Sequence, residues 1–132
     1  MAKIIHESGK RKMAVARATL KQGTGKIRVN NQMLDSYGTE ITRLKLMEPL
    51  IIAGDISSGV DISVNVNGGG FNAQADAARL AIARALVRYS KKLEKIFLNY
   101  VRHLLVADVR RKEASKPNRH GQARAKRQKS YR

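Results

Sequence analysis

Hydrophobic and polar positions alternate strictly through Val60-Asp-Ile-Ser-Val-Asn-Val-Asn67, which puts Val60, Ile62, Val64 and Val66 on one face. A period of two predicts a strand with one buried face. Residues 13–20 and 26–29 are also rich in apolar positions, and Lys21-Gln-Gly-Thr-Gly25 between them carries the glycines that a tight reversal needs for positive φ. These two stretches predict a hairpin. Thr39 is placed to cap a short helix through Ile41 and Leu44. Pro49 is expected to end or kink it, because the residue before a proline is biased toward extended geometry.

From Asn72 the period becomes 3.6. Ala75, Ala78, Ile82, Ala85, Leu86 and Tyr89 fall on one helical stripe, and its many alanines predict close packing on a sheet. If the helix direction persists past Ser90, Arg84, Arg88, Lys91 and Lys95 share the opposite face. That row is either a basic ridge for a polyanion or a solvated helix face, and the absence of interleaved Glu argues against pairing along it. Leu93, Ile96, Phe97, Tyr100 and Leu104 continue an apolar stripe. Strands followed by helices in a chain of 132 residues predict one α+β domain, a small sheet packed by helices.

Charge changes this picture most. The chain has 27 Lys+Arg against 10 Asp+Glu, a formal net charge of +17. Residues 108–132 alone hold 10 basic and 2 acidic side chains, and their only apolar residues larger than Ala or Pro are Val109 and Tyr131. Such a segment cannot bury enough surface to fold by itself. The expected division is therefore a globular body at 1–107 and an extended basic tail at 108–132, disordered until it meets a polyanion. A merely solubilising tail is the other reading; dispersed cations and a terminal aromatic favour a nucleic-acid arm. Short, charge-interrupted apolar runs predict no membrane-spanning helix, and the first residues do not resemble a signal peptide. Zero Cys removes disulfides, thiolate catalysis and Cys-ligated zinc. A soluble, intracellular protein is expected.

Asn67-Gly-Gly-Gly-Phe-Asn-Ala73 formally satisfies G-x-G-x-x-[G/A] between a strand and a helix. A dinucleotide site would need a second strand ending in an acidic residue about 20 positions on, whereas the chain stays helical and basic through Lys95. Two readings remain for Gly68, Gly69 and Gly70: an anion cradle of bare amides at a helix start, or a sharp turn that needs glycine for its dihedrals. Lys10-Arg11-Lys12, expected just before the first strand, is a candidate phosphate clamp and lacks the Walker pattern. His6, His103 and His120 stand in unrelated contexts, and no carboxylate pair or metal-ligand spacing is present. The chain is expected to be no enzyme and to hold no metal or cofactor.

Taken together, Gly9-Lys-Arg-Lys-Met-Ala-Val-Ala-Arg-Ala18, the stretch from Val66 through the triple glycine to Leu86, and the basic tail ending in Ser130-Tyr131-Arg132 resemble one family. It is that of the universal ninth protein of the small ribosomal subunit. The Ser-Tyr-Arg ending resembles the archaeal and eukaryotic branch, and the short length favours an archaeal source. The resemblance implies the fold of the second domain of the fifth small-subunit protein, including a left-handed β-α-β crossover, where statistics favour a right-handed one. It implies a cytoplasmic structural constituent of the small subunit, held by ribosomal RNA and neighbouring proteins in the subunit head. The tail would reach peptidyl-site transfer RNA. The ribosomal RNA-binding set expected from these readings is Lys10, Arg11, Lys12, Arg17, Gly68, Gly69, Gly70, Arg84, Arg88, Arg110, Arg111, Lys112, Lys116, Arg119, Arg124, Lys126 and Arg127. Lys129, Tyr131 and Arg132 are expected at transfer RNA. A non-catalytic RNA-binding subunit of an RNA-processing complex is the alternative.

Overall fold

The computed structural model of the chain describes residues 3–121, 123–124 and 130–131. Five strands form one mixed sheet: β1 (Ile5–Arg11), β2 (Ala14–Gln22), β3 (Ile27–Val29), β4 (Gln32–Met33) and β5 (Val60–Asn67), in the order β1-β2-β5-β3-β4. Four helices follow the same chain: α1 (Glu40–Ala53), α2 (Asp55–Ser58), α3 (Phe71–Tyr89) and α4 (Lys92–Tyr100). The α+β class, the strand at Val60–Asn67 and the alanine-rich helix are as the periodicities predict.

The predicted hairpin is not formed. β2 and β3 do not pair, because β5 lies between them, antiparallel to β2 and parallel to β3. The glycine-rich connection spans β5 instead of closing on itself. Gly23 N–H donates to Gly59 O, and the Asp61 carboxylate accepts from the N–H groups of Thr24 and Lys26. The reversal that does exist lies one strand earlier, where β1 and β2 pair from Ile5↔Leu20 to Arg11↔Ala14. Lys10 and Arg11 therefore end a strand and Lys12 sits in the two-residue turn, rather than all three preceding the sheet.

Thr39 does cap α1, its Oγ1 accepting from Thr42 N–H at 3.4 Å. Pro49 neither ends the helix nor meets solvent: α1 runs on to Ala53 and buries Leu46, Pro49 and Leu50, while Ile41 and Leu44 are exposed. The missing proline N–H costs one helical bond, which the burial of this face offsets. The 3.6-residue pattern does break at Ser90, which is extended. Arg84 and Arg88 lie on α3 and Lys95 on α4, so the four cations do not form one continuous ridge.

α3 packs across β1, β2 and β5, and α1 and α4 pack against α3. Ala73, Ala77, Ala78, Ala81, Ala83 and Ala85 are buried with Val60, Ile62, Val64 and Val66 in one core, as small side chains allow helix and sheet backbones to approach closely. The closest approach is at Gly9, where an added Cβ would lie 2.8 Å from the Ala81 nitrogen and nearer still to the Ala77 carbonyl oxygen. The other sheet face carries His6, Arg17, Arg28, Ser63 and Asn65 and is exposed. Phe97 and Leu104 close the core, and beyond the short 3-10 turn at Arg102–Leu104 the described residues form no helix or strand.

Candidate nucleic-acid interface

Three sequence-distant segments singled out for their charge or glycines meet at one end of the sheet. The β1–β2 turn is the first. Lys12 has φ 53°, a left-handed conformation that lets two residues reverse the chain with the twist of the flanking strands. The second is the triple glycine. Gly68 and Gly69 have φ of 76° and 65°, and a Cβ on Gly68 would lie 2.6 Å from Met13 O. The turn thus needs glycine for both dihedral and space, which accounts for two of the three glycines without a ligand. Gly70 precedes α3 as its N-cap with open space around it.

The third segment is the root of the basic tail. Arg110, Arg111 and Lys112 border a cavity of about 550 Å³ whose other wall is Arg11, Lys12 and Met13. Asp108 fixes this wall. Its Oδ2 lies 3.2 Å from Arg11 Nη1 and 2.7 Å from Arg110 Nη2, and its carboxylate also accepts from the Arg110 backbone N–H. Those hydrogen bonds, chiefly from the Arg110 side chain, hold the Asp108 carboxyl well below the usual carboxylate range. Arg11 also faces Asp76 on α3 at 3.9 Å, and Asp76 accepts from Lys45 on α1 at 3.1 Å. Strand, both long helices and the tail root are therefore tied through carboxylates.

The expected RNA-binding residues divide by what they already touch. Arg84 donates to Leu105 O and Ser8 O, and Arg88 to His6 O and the Glu7 carboxylate. β1 is an edge strand, so these guanidinium groups cover backbone carbonyls that would otherwise face outward unpaired. The partners come from β1 and, at Leu105, from the segment after α4 rather than from α3 itself, which is why the lack of Glu along the helix did not reveal them. Arg17 is exposed on the open sheet face opposite Ser8 and Asn65, and Lys10 is exposed beside Val15. Lys12, Arg111 and Lys112 have no carboxylate within ion-pair distance among the described residues.

Farther along, Lys116 and Arg124 both face Glu113, at 3.8 and 2.6 Å, and Arg119 donates to Ala123 O. Tyr131 is exposed. Lys126, Arg127, Lys129 and Arg132 lie outside the described residues. Among the described residues, no three His, Cys, Asp or Glu side chains are grouped to hold a metal ion, and no helix is long and apolar enough to cross a membrane.

These features define a class, a small and strongly basic α+β protein whose cationic turn adjoins a basic C-terminal segment. Residues 9–132 match the family described as ribosomal protein S9/S16, and the chain belongs to that family. It is 47% identical over 133 residues to the small ribosomal subunit protein uS9 of Methanococcus maripaludis strain C7, covering 98% of this chain and 99% of the relative. The proteins of the same name from M. maripaludis strain C5 and Methanococcus vannielii match at the same identity and coverage. These relatives are archaeal, in keeping with the Ser130-Tyr131-Arg132 ending.

Proposed function

We propose that this chain is a non-catalytic structural constituent of the small ribosomal subunit in the cytoplasm. Its body, residues 1–107, binds ribosomal RNA and neighbouring proteins in the subunit head, and its tail, residues 108–132, extends to peptidyl-site transfer RNA. Family membership and 47% identity over nearly the full length to a uS9 protein support the ribosomal assignment. β3 and β5 are parallel neighbours joined through α1, the connectivity that any β-α-β crossover has, and we assign it the left hand that the family resemblance implies.

One observation carries the RNA reading: Lys12, Arg111 and Lys112 border one cavity without carboxylate partners among the described residues. Arg11 and Arg110, which share the Asp108 carboxylate, act as its scaffold, and Arg84 and Arg88 serve the edge strand first and RNA second. Lys10, Arg17, Gly68–Gly70, Lys116, Arg119, Arg124, Lys126 and Arg127 complete the ribosomal RNA surface. Neutralising phosphates releases counterions, so binding weakens with salt in proportion to the contacts made.

Co-sedimentation with small subunits through a series of salt washes tests the assignment. The native chain stays with the subunit at high salt, and a variant combining Lys12→Ala, Arg111→Ala and Lys112→Ala leaves at lower salt. Its binding to a subunit-head RNA fragment loses about 0.7–0.9 from the log–log salt slope per contact removed. A chain found free, or bound to an RNA-processing complex and absent from subunits, would overturn the reading.

A further inference from the structure

The cavity at the β1–β2 turn combines two chemistries. Phosphate needs cations and gains nothing from a thioether, yet Met13 lines the cavity with 78% of its surface exposed. Its volume of about 550 Å³ lies within the roughly 300–1,000 Å³ of sites that enclose small ligands. The wall is held rather than loose, since Asp108 ties Arg11 and Arg110 together at 3.2 and 2.7 Å. Lys12, Arg111 and Lys112 keep their charge for an anion. Lys12 sits at φ 53°, where a side chain is strained, so its cation is held within the turn that borders the cavity.

We propose that this cavity receives one unstacked nucleotide of single-stranded RNA, its base against Met13 and its phosphate on Lys12, Arg111 and Lys112. The proposal rests on the RNA-binding reading above and sharpens it from a charged surface to a nucleotide site. A base offers a π-face that a polarisable thioether contacts favourably. A base splayed out of a loop or bulge is the form in which RNA exposes that face, whereas a duplex keeps its bases stacked and presents phosphates. Met13 and Lys12 stand side by side on the turn wall and Arg111 and Lys112 on the tail wall, so one nucleotide can engage the thioether and the cations together.

The test uses the full chain with three short RNAs of one length: a single strand, the same strand lacking one central base, and a duplex. The base-bearing strand should bind about 2- to 10-fold tighter than the abasic one, the scale of a sulfur–aromatic contact. Met13→Ser should bring that ratio to about one, while Met13→Leu, which keeps an apolar contact, should retain most of it. Met13 is exposed, so neither variant disturbs the core. Equal binding of base-bearing and abasic strands, a ratio unchanged in Met13→Ser, or a duplex bound as tightly as the single strand would overturn the nucleotide site. Binding of none of the three, together with no binding to a subunit-head RNA fragment, would instead sink the RNA-binding reading beneath it.

Discussion

Lys12 and Gly9 stand three positions apart and are set by opposite constraints. A left-handed conformation costs a side-chain-bearing residue roughly 1–2 kcal/mol, and glycine's extra freedom when unfolded costs about 0.5–1 kcal/mol. Lys12→Gly should therefore stabilise the protein by about 0.5–1 kcal/mol in urea unfolding while weakening RNA binding. A loss of stability on that change would show that Lys12 is placed by packing and not by charge. At Gly9 the constraint is space, since the Ala77 and Ala81 backbone fills the volume a Cβ would need. Gly9→Ala should cost about 2–3 kcal/mol, the scale of overpacking, with an unchanged denaturation midpoint as the contrary result. A glycine inside a strand signals such an approach, but it also erases the alternation that marks a strand. In Ile5–Arg11 Gly9 and Ile5 are the fully buried positions, so β1 has almost no apolar signature and its start is not legible in the sequence.

Between elements, local pattern was legible and pairing was not. The strand at Val60–Asn67 and the helix at Phe71–Tyr89 follow from periods of 2 and 3.6, because each has one face against a common core. The pairing of β2 with β5 joins segments some forty residues apart, and nothing local encodes it, so glycines between two apolar runs resembled a hairpin. What the sequence did carry, unrecognised, was Asp61. Backbone N–H groups of Lys26, Thr24 and Gly25 hold its carboxyl below the ordinary value, and its bonds fasten the β2–β3 connection over the edge of β5. A depressed pKa adds stability that is complete above the unfolded value of about 3.9 and is lost as pH falls through the folded one. Asp61→Asn should thus be less stable than the native chain at pH 7, with the gap narrowing below about pH 4. Chemical denaturation at pH 7 and pH 3 measures it, and a gap of equal size at both values would mean that the charge contributes nothing.

At the scale of the whole molecule, the apolar core and the densest run of cations occupy different parts of the chain, a contrast that composition alone makes legible. The core ends at Leu104, and the tail cations then begin beside the β1–β2 turn, where Asp108 joins Arg11. The start of the basic segment is therefore anchored beside the exposed Lys12, and under the proposed RNA reading the two would follow one RNA backbone rather than two. A chain ending at residue 107 should still melt cooperatively, since it keeps the core; it should bind RNA with a flatter salt slope. From Asp108 onward the 25 residues of the tail could span up to roughly 80 Å if fully extended, so a site beyond the reach of the body is accessible. Arg132 is suited to that end because a guanidinium grips two phosphate oxygens in a planar fork, where Lys offers a point charge. Tyr131 packed on RNA would hold that guanidinium toward the phosphate. Small subunits carrying a chain that ends at Lys129 keep every cation between Arg110 and Lys129 and should assemble normally. They should nonetheless hold peptidyl-site transfer RNA less tightly, with Arg132→Lys falling between that truncation and the native chain. Filter binding of transfer RNA to assembled subunits reads the difference, and equal affinity with and without the last three residues would remove the tail end from the peptidyl site.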